Sequence, residues 1–174
     1  MPAFEQAFAI VIGHEGGYSN EREDAGNWTG GIVGVGICNG TKYGISAAAY
    51  PALNIAALSL DAAKDIYRRD YWQKIRGDDL PPPLALLVFD AAVNNGPAQA
   101  VRWLQAAANV TIDSIIGPHT LSAVAQAQGA TLCAEFMAQR TYFMANLATW
   151  RTFGLGWARR LCALPYQSLT MTGD

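Results

Sequence analysis

Apolar residues recur at helical spacing at the start of the chain, where Phe4, Ala7, Phe8, Val11 and Ile12 share one face. Gly16-Gly17 follows, and glycines just past such a pattern stop a helix. From Asn20 to Gly44 the periodicity is lost to a polar, glycine-rich and partly β-branched segment. Its second part, GGIVGVGICNGTKYG at 30–44, predicts a short hairpin turning at Asn39-Gly40. Helical spacing returns in SLDAAKDIYRRDYWQKI at 59–75, with Ser59 or Asp61 as cap and Ala62, Ala63, Ile66, Tyr67 and Tyr71 on one face. DDLPPP then breaks the chain.

LALLVFDAAVNNG at 84–96 is apolar on every side, the pattern of a buried central helix. Asp90 and Asn94 on that helix therefore each need a polar partner. Pro97 opens a further helix at the favoured first position. DSIIGPHTLSAVAQA predicts a turn into a short helix, and a long helix over 131–149 closes the regular part. FGLGWARRLCALP receives no element, and SLTMTGD reads as frayed. The class is mostly α with one small β excursion.

Composition narrows the function. The chain of 174 residues is 51% hydrophobic, enough for the core of one domain with a helical appendage. No apolar run reaches the ~20 residues that span a bilayer, so no membrane insertion is expected. MPAFEQAFAIVIG carries Glu5 and lacks a basic start, which does not read as a secretory signal, so synthesis in the cytosol is expected. A net charge of −2 offers no general attraction to nucleic acid. Cys38, Cys133 and Cys162 have neither zinc-ligand nor disulfide spacing, and two histidines are too few for a histidine metal site. No metal or cofactor is expected.

The chemistry concentrates at Glu15 and Asp24. Glu15 sits at the end of the first helical pattern, where unpaired carbonyls disfavour its charge. That placement, beside Val11 and Ile12, predicts a raised pKa and suits a general acid. Asp24 lies among Asn20, Gly26, Asn27 and Thr29, a solvated setting in which a carboxylate stays ionised. Two carboxyls in unlike surroundings are the equipment of glycosidic bond cleavage. Thr41, in TKYGIS, can help to hold the attacking water. A capping role for Asp24 and a strand role for Thr41 are the plainer readings of the same residues.

The segments HEGGYSN, DAGN, TKYGIS, YRRDYW, FDAAVNNGPAQAVRWLQ and IIGPHT together resemble glycoside hydrolase family 108. Its members are bacterial and phage N-acetylmuramidases, including endolysins and a muramidase dedicated to secretion. The resemblance runs from about Phe4 to Arg160 and implies a lysozyme-like helical fold with the small hairpin near the catalytic loop. HEGGY is the catalytic motif of that family, so Glu15 corresponds to its essential glutamate. The Glu-x8-Asp spacing with a downstream threonine is also similar to phage-type lysozymes. Here NWTGGIVGVGICNG lengthens the interval from Asp24 to Thr41.

The resemblance divides the chain into a catalytic region at 1–94 and a peptidoglycan-binding region at 95–174, packed as one unit. DSIIGPHT carries serine where such regions more usually have glycine. It implies hydrolysis of the β-1,4 bond between N-acetylmuramic acid and N-acetylglucosamine by a monomer, without cofactor. Tyr18, Trp28 and Tyr43 are candidates to stack on sugar rings, and Asn94 and Asn95 to bond acetamido groups. Trp72 and Trp103 read as core. Peptidoglycan is the partner, reached at the cell wall or periplasm through a holin or a secretion channel. A lytic transglycosylase using Glu15 without Asp24 and a non-catalytic peptidoglycan-binding or secretion-assisting protein are the alternatives.

Overall fold

A computed structural model describes residues 1–13 and 17–172. Seven α-helices and one two-stranded sheet occur among the described residues. In chain order these are α1 (Ala3–Ile12), β1 (Thr41–Lys42), β2 (Ile45–Ser46), α2 (Leu60–Tyr67), α3 (Pro82–Asn95), α4 (Pro97–Ala107), α5 (Pro118–Gln126), α6 (Gly129–Ala145) and α7 (Trp150–Ser168). None of the helices is long and apolar enough to cross a membrane. The contacts divide the chain into two compact units, one of Met1–Val11 with Arg68–Asp174, the other Ile12–Tyr67.

The first unit is helical and built on α3. Leu84 to Ala92 are all buried, so the apolar run has the place its pattern predicts. Phe4 and Phe8 of α1 join Trp72 and Phe89 in one aromatic cluster, with Trp72 and Phe89 edge to face at 5.4 Å. Trp72 is wholly buried and donates its indole N–H to Asp78 at 2.8 Å. Gly77 lies against its ring so closely that a Cβ would collide with it. Trp103 is likewise buried, edge to face with Phe143.

Several expectations for the helices and the tail need correction. The helix of 59–75 does not run through, because α2 ends at Tyr67 and a π-helical turn follows from Arg68 to Trp72. Asn94 is exposed on the last turn of α3 and donates to the Asp90 carbonyl at 2.8 Å, so it is not a buried amide. The closing helix ends at Ala145, and α7 occupies the segment without an assigned element. Gly154, Gly156 and Pro165 conceal α7 from propensity, yet Gly154 leaves room for the Trp150 ring, which a Cβ would meet at 2.8 Å. The tail is docked rather than frayed: Met171 is buried, and Thr172 exchanges hydrogen bonds with Gln6 of α1.

The second unit is mostly loop. Its hairpin is β1–β2, antiparallel, with Thr41 opposite Ser46 and Lys42 opposite Ile45. The turn is Tyr43-Gly44, both at positive φ as a tight two-residue hairpin requires, and not Asn39-Gly40. Asn39 and Gly40 instead donate their backbone N–H groups to the Asn27 carbonyl. The preceding arm closes separately, with Thr29 bonded to Ile37 and Gly30 to Val35 across a tight return. Ser59 is the side chain that caps α2, accepting from Ala62 N–H at 3.1 Å. Tyr67 of α2 donates to the Tyr43 carbonyl at 2.9 Å, tying the helix to the hairpin turn.

Candidate active site

Glu15 lies outside the described residues. The other candidates divide between the units: Tyr18, Asp24, Trp28, Thr41 and Tyr43 belong to the second, Asn94 and Asn95 to the first.

Asp24 is exposed and caps a short 3-10 turn over Ala25–Asn27, its Oδ1 accepting from Gly26 N–H at 2.8 Å. The segment folds this way because an aspartate two residues before a glycine closes an Asx turn. One carboxylate oxygen is thereby anchored. Asp24 stands beside Glu21, Arg22 and Glu23, so three carboxylates and one guanidinium share a solvated stretch.

The turn presents Asn27, wholly buried, whose amide oxygen and nitrogen each have a partner. Its Oδ1 accepts from the Thr41 hydroxyl at 2.7 Å, and its Nδ2 donates to the Glu21 carbonyl at 2.9 Å. Its backbone N–H donates to the Asp24 carbonyl at 3.1 Å. Asn27 therefore joins the Asp24 turn to Thr41, a role sequence reasoning missed. An asparagine in a glycine-rich loop carries no periodic signal; only its short polar side chain, able to mimic a backbone turn, hints at it. The Thr41 hydroxyl, half-buried, spends its proton on Asn27 and keeps its lone pairs for a further donor. Thr41 also pairs its backbone with Ser19 at 2.7 and 2.9 Å.

The three aromatic candidates have unequal access. Tyr18 is 42% exposed, donates its hydroxyl to the Asn39 carbonyl at 3.3 Å, and is packed on Gly40. Tyr43 is half-buried, with the Lys42 ammonium 5.4 Å from its ring centre. Trp28 is buried, its indole N–H given to the Arg22 carbonyl at 2.8 Å and its face covered by the Arg22 guanidinium at 5.5 Å. Its edge still lines a cleft of about 560 Å³ with Asn20, Arg22, Gly36, Ile37 and Cys38. The exposed face belongs to Tyr18.

In the first unit Asn95 accepts from Arg140 Nε at 3.3 Å, and Asn94 is bonded to its own helix. Asp90 is wholly buried and engages two arginines, Arg140 at 2.6 Å and Arg160 through both Nε and Nη2. Burial pulls the Arg140 guanidinium below its ordinary pKa, and the Asp90 charge opposes that pull. Burial also pushes the Cys133 thiol up, which makes it a poor nucleophile; Cys162 is exposed. Among the described residues no group of three acidic, histidine or cysteine side chains is placed to hold a metal.

The family model for glycosyl hydrolase 108 matches residues 8–96, and that for a predicted peptidoglycan domain matches residues 99–162. Among solved structures, Brucella abortus SagA is similar at 33% identity and a TM-score of 0.80. That match covers 98% of this chain and 96% of the other. No curated protein sequence matches.

Proposed function

The chain belongs to glycosyl hydrolase family 108, and from that membership we propose that it cuts the β-1,4 bond between N-acetylmuramic acid and N-acetylglucosamine, with Glu15 as general acid. Membership makes it a lysozyme-like glycoside hydrolase, and the peptidoglycan domain makes the cell wall its substrate and place of action. The match over residues 8–96, which include both Glu15 and Asp24, carries the proposal.

In the proposed reaction Glu15 gives its proton to the leaving glycosidic oxygen as the bond to the anomeric carbon breaks. Water adds to that carbon, and Asp24 takes up the water's proton; where Asp24 instead stabilises the developing positive charge, the Glu15 carboxylate takes the proton back. Thr41 accepts from the water through the lone pairs its bond to Asn27 leaves over. Tyr18 and Tyr43 stack on sugar rings, Trp28, whose face Arg22 covers, offers only its edge, and Asn94 and Asn95 bond acetamido groups. The functional division runs at 94/95, catalysis before and wall binding after. The enzyme acts as a monomer, needs no cofactor, and reaches the wall through a holin as a phage endolysin; a dedicated secretion channel is the other route. Genome neighbours check that context.

The capping bond of Asp24 to Gly26 favours one second reading, a lytic transglycosylase that uses Glu15 alone. Digestion of purified peptidoglycan with product mass spectrometry separates the two. Reducing N-acetylmuramic acid ends from wild type, absent with Glu15→Gln, support the hydrolase. Anhydro ends move the enzyme to the transglycosylases. Wall binding by folded wild type without any cleavage overturns both.

A further inference from the structure

The helix that leads to Glu15 is held at its end by a residue 149 positions away. An α-helix leaves its last four carbonyls without partners inside the helix, and a cation near them stabilises the end. Helix α1 carries Glu5 in its first turn but no basic residue in its last. Gly13 turns the chain away at φ 64°. The missing cation comes from α7. Arg160 Nη2 donates to the Val11 carbonyl at 3.4 Å, a long contact strengthened by the charge on the donor.

Arg160 is itself held. Its Nε donates to Asp90 Oδ1 at 2.8 Å, and its Nη2 reaches the same oxygen. Asp90 is 0% exposed on the most buried helix, and its second oxygen is fixed by Arg140, 1% exposed. A side chain 41% exposed is thus tethered to a wholly buried carboxylate that a second, buried arginine also holds. Further along α7 the tail returns to α1, where Thr172 and Gln6 exchange hydrogen bonds at 3.1 to 3.2 Å. Helix α1 is therefore splinted at Gln6 and Val11 by the C-terminal part of the chain. Local stability of so short a helix would not keep its last turn from fraying.

We propose that Arg160 is a positioning residue for the reaction: fixed by Asp90, it holds the C-terminal turn of α1 from which Glu15 follows four residues after Val11. This assigns to α7, part of which falls in the region matched to a peptidoglycan domain, a share in setting the catalytic acid. The inference rests on the reading of Glu15 as that acid. Geometry of a reacting group is sensitive to small displacements, and a misplacement of about 1 Å can cost about a hundredfold in rate.

The test compares wild type, Arg160→Met, Arg160→Lys and Glu15→Gln on a soluble tetrasaccharide of alternating N-acetylglucosamine and N-acetylmuramic acid. Circular dichroism and thermal unfolding accompany the kinetics. Methionine keeps the aliphatic stem, while lysine keeps the charge without the planar fork that serves Asp90 and Val11 together. A kcat lowered by about tenfold or more in Arg160→Met, with KM unchanged and the folded signal retained, supports the proposal. A wild-type kcat overturns it, as does a loss explained by a reduced folded fraction. Should Arg160→Met fail to fold, Arg160→Lys decides: reduced kcat at constant KM supports positioning, and wild-type kcat overturns it. An active Glu15→Gln would overturn the acid assignment instead, so the two failures are distinguishable.

Discussion

Each of the two units is stabilised internally by a different force. The first buries Leu84 to Ala92 and the Phe4, Phe8, Trp72 and Phe89 cluster, an apolar core in which contacts are many and individually replaceable. The second has a few buried aliphatic side chains and depends on polar ones that bond the main chain: Asp24 to Gly26, Asn27 to Glu21, Trp28 to Arg22 and Asn39 to Leu53. Hydrophobic burial is non-directional and tolerates repacking, whereas each of these bonds has one geometry and one donor. The loop unit, which carries Asp24 and Thr41, gains fixed side-chain directions at the cost of redundancy. Single substitutions should therefore act differently in the two.

The largest effect is expected where the first unit departs from its own rule. Asp90→Ala leaves Arg140 buried with its main counter-charge removed, which should cost about 3–5 kcal/mol in urea unfolding. A cost below 1 kcal/mol would mean that the apolar packing around α3 outweighs the ion pair. Next, Thr41→Val leaves the buried Asn27 Oδ1 unsatisfied and should cost about 1–3 kcal/mol, while Thr41→Ser restores the bond. Equal stability of the two variants would break the claim that single polar bonds organise the loop unit.

Asp24 separates capping from catalysis. Asp24→Ala should cost about 1 kcal/mol of stability through the lost cap. Asp24→Asn keeps an acceptor for Gly26 and should fold like wild type, yet lose at least about tenfold in hydrolysis if the carboxylate serves the water. Full activity in Asp24→Asn would leave capping as its whole role. The smallest effect concerns Asp113, exposed in the first unit. Its carboxyl is held below the usual carboxylate range, first by the Gln105 side chain and then by the Ile115 N–H. The folded state thus favours its charge, a contribution complete above the ordinary aspartate value and lost as pH falls through the lowered one. Asp113→Asn should be slightly less stable than wild type at neutral pH, and the gap should close in acid on thermal unfolding.

Legibility followed the same divide. Helix α3 was readable because its nearly all-apolar run is longer than a strand needs, and α4 because Pro97 marks its first turn. The hairpin was expected at 30–44 with its turn at Asn39-Gly40, whereas its strands are Thr41–Lys42 and Ile45–Ser46, the second beyond that span. Asn39-Gly40 has the better turn chemistry, yet the Asn27 carbonyl claims both its N–H groups. Helix α7 went unread since Gly154 and Gly156 lower helix propensity, and the room Gly154 leaves for Trp150 is not a periodic feature. Of the candidate site, Glu15 and Asp24 stood out by placement and motif. Asn27 did not, because its importance consists of the partners it meets.

By itself the sequence determined the helical class, the central buried helix, the family motif and the two carboxyl residues proposed for proton transfer. Those properties are local or periodic, and are written in neighbouring positions. Only the tertiary structure decided that Arg160 meets Val11, that Asp90 carries two arginines, and that Thr41 spends its proton on Asn27. Such pairs join residues up to 149 positions apart, and a side chain's partner depends on which backbones the packed core brings within about 3 Å.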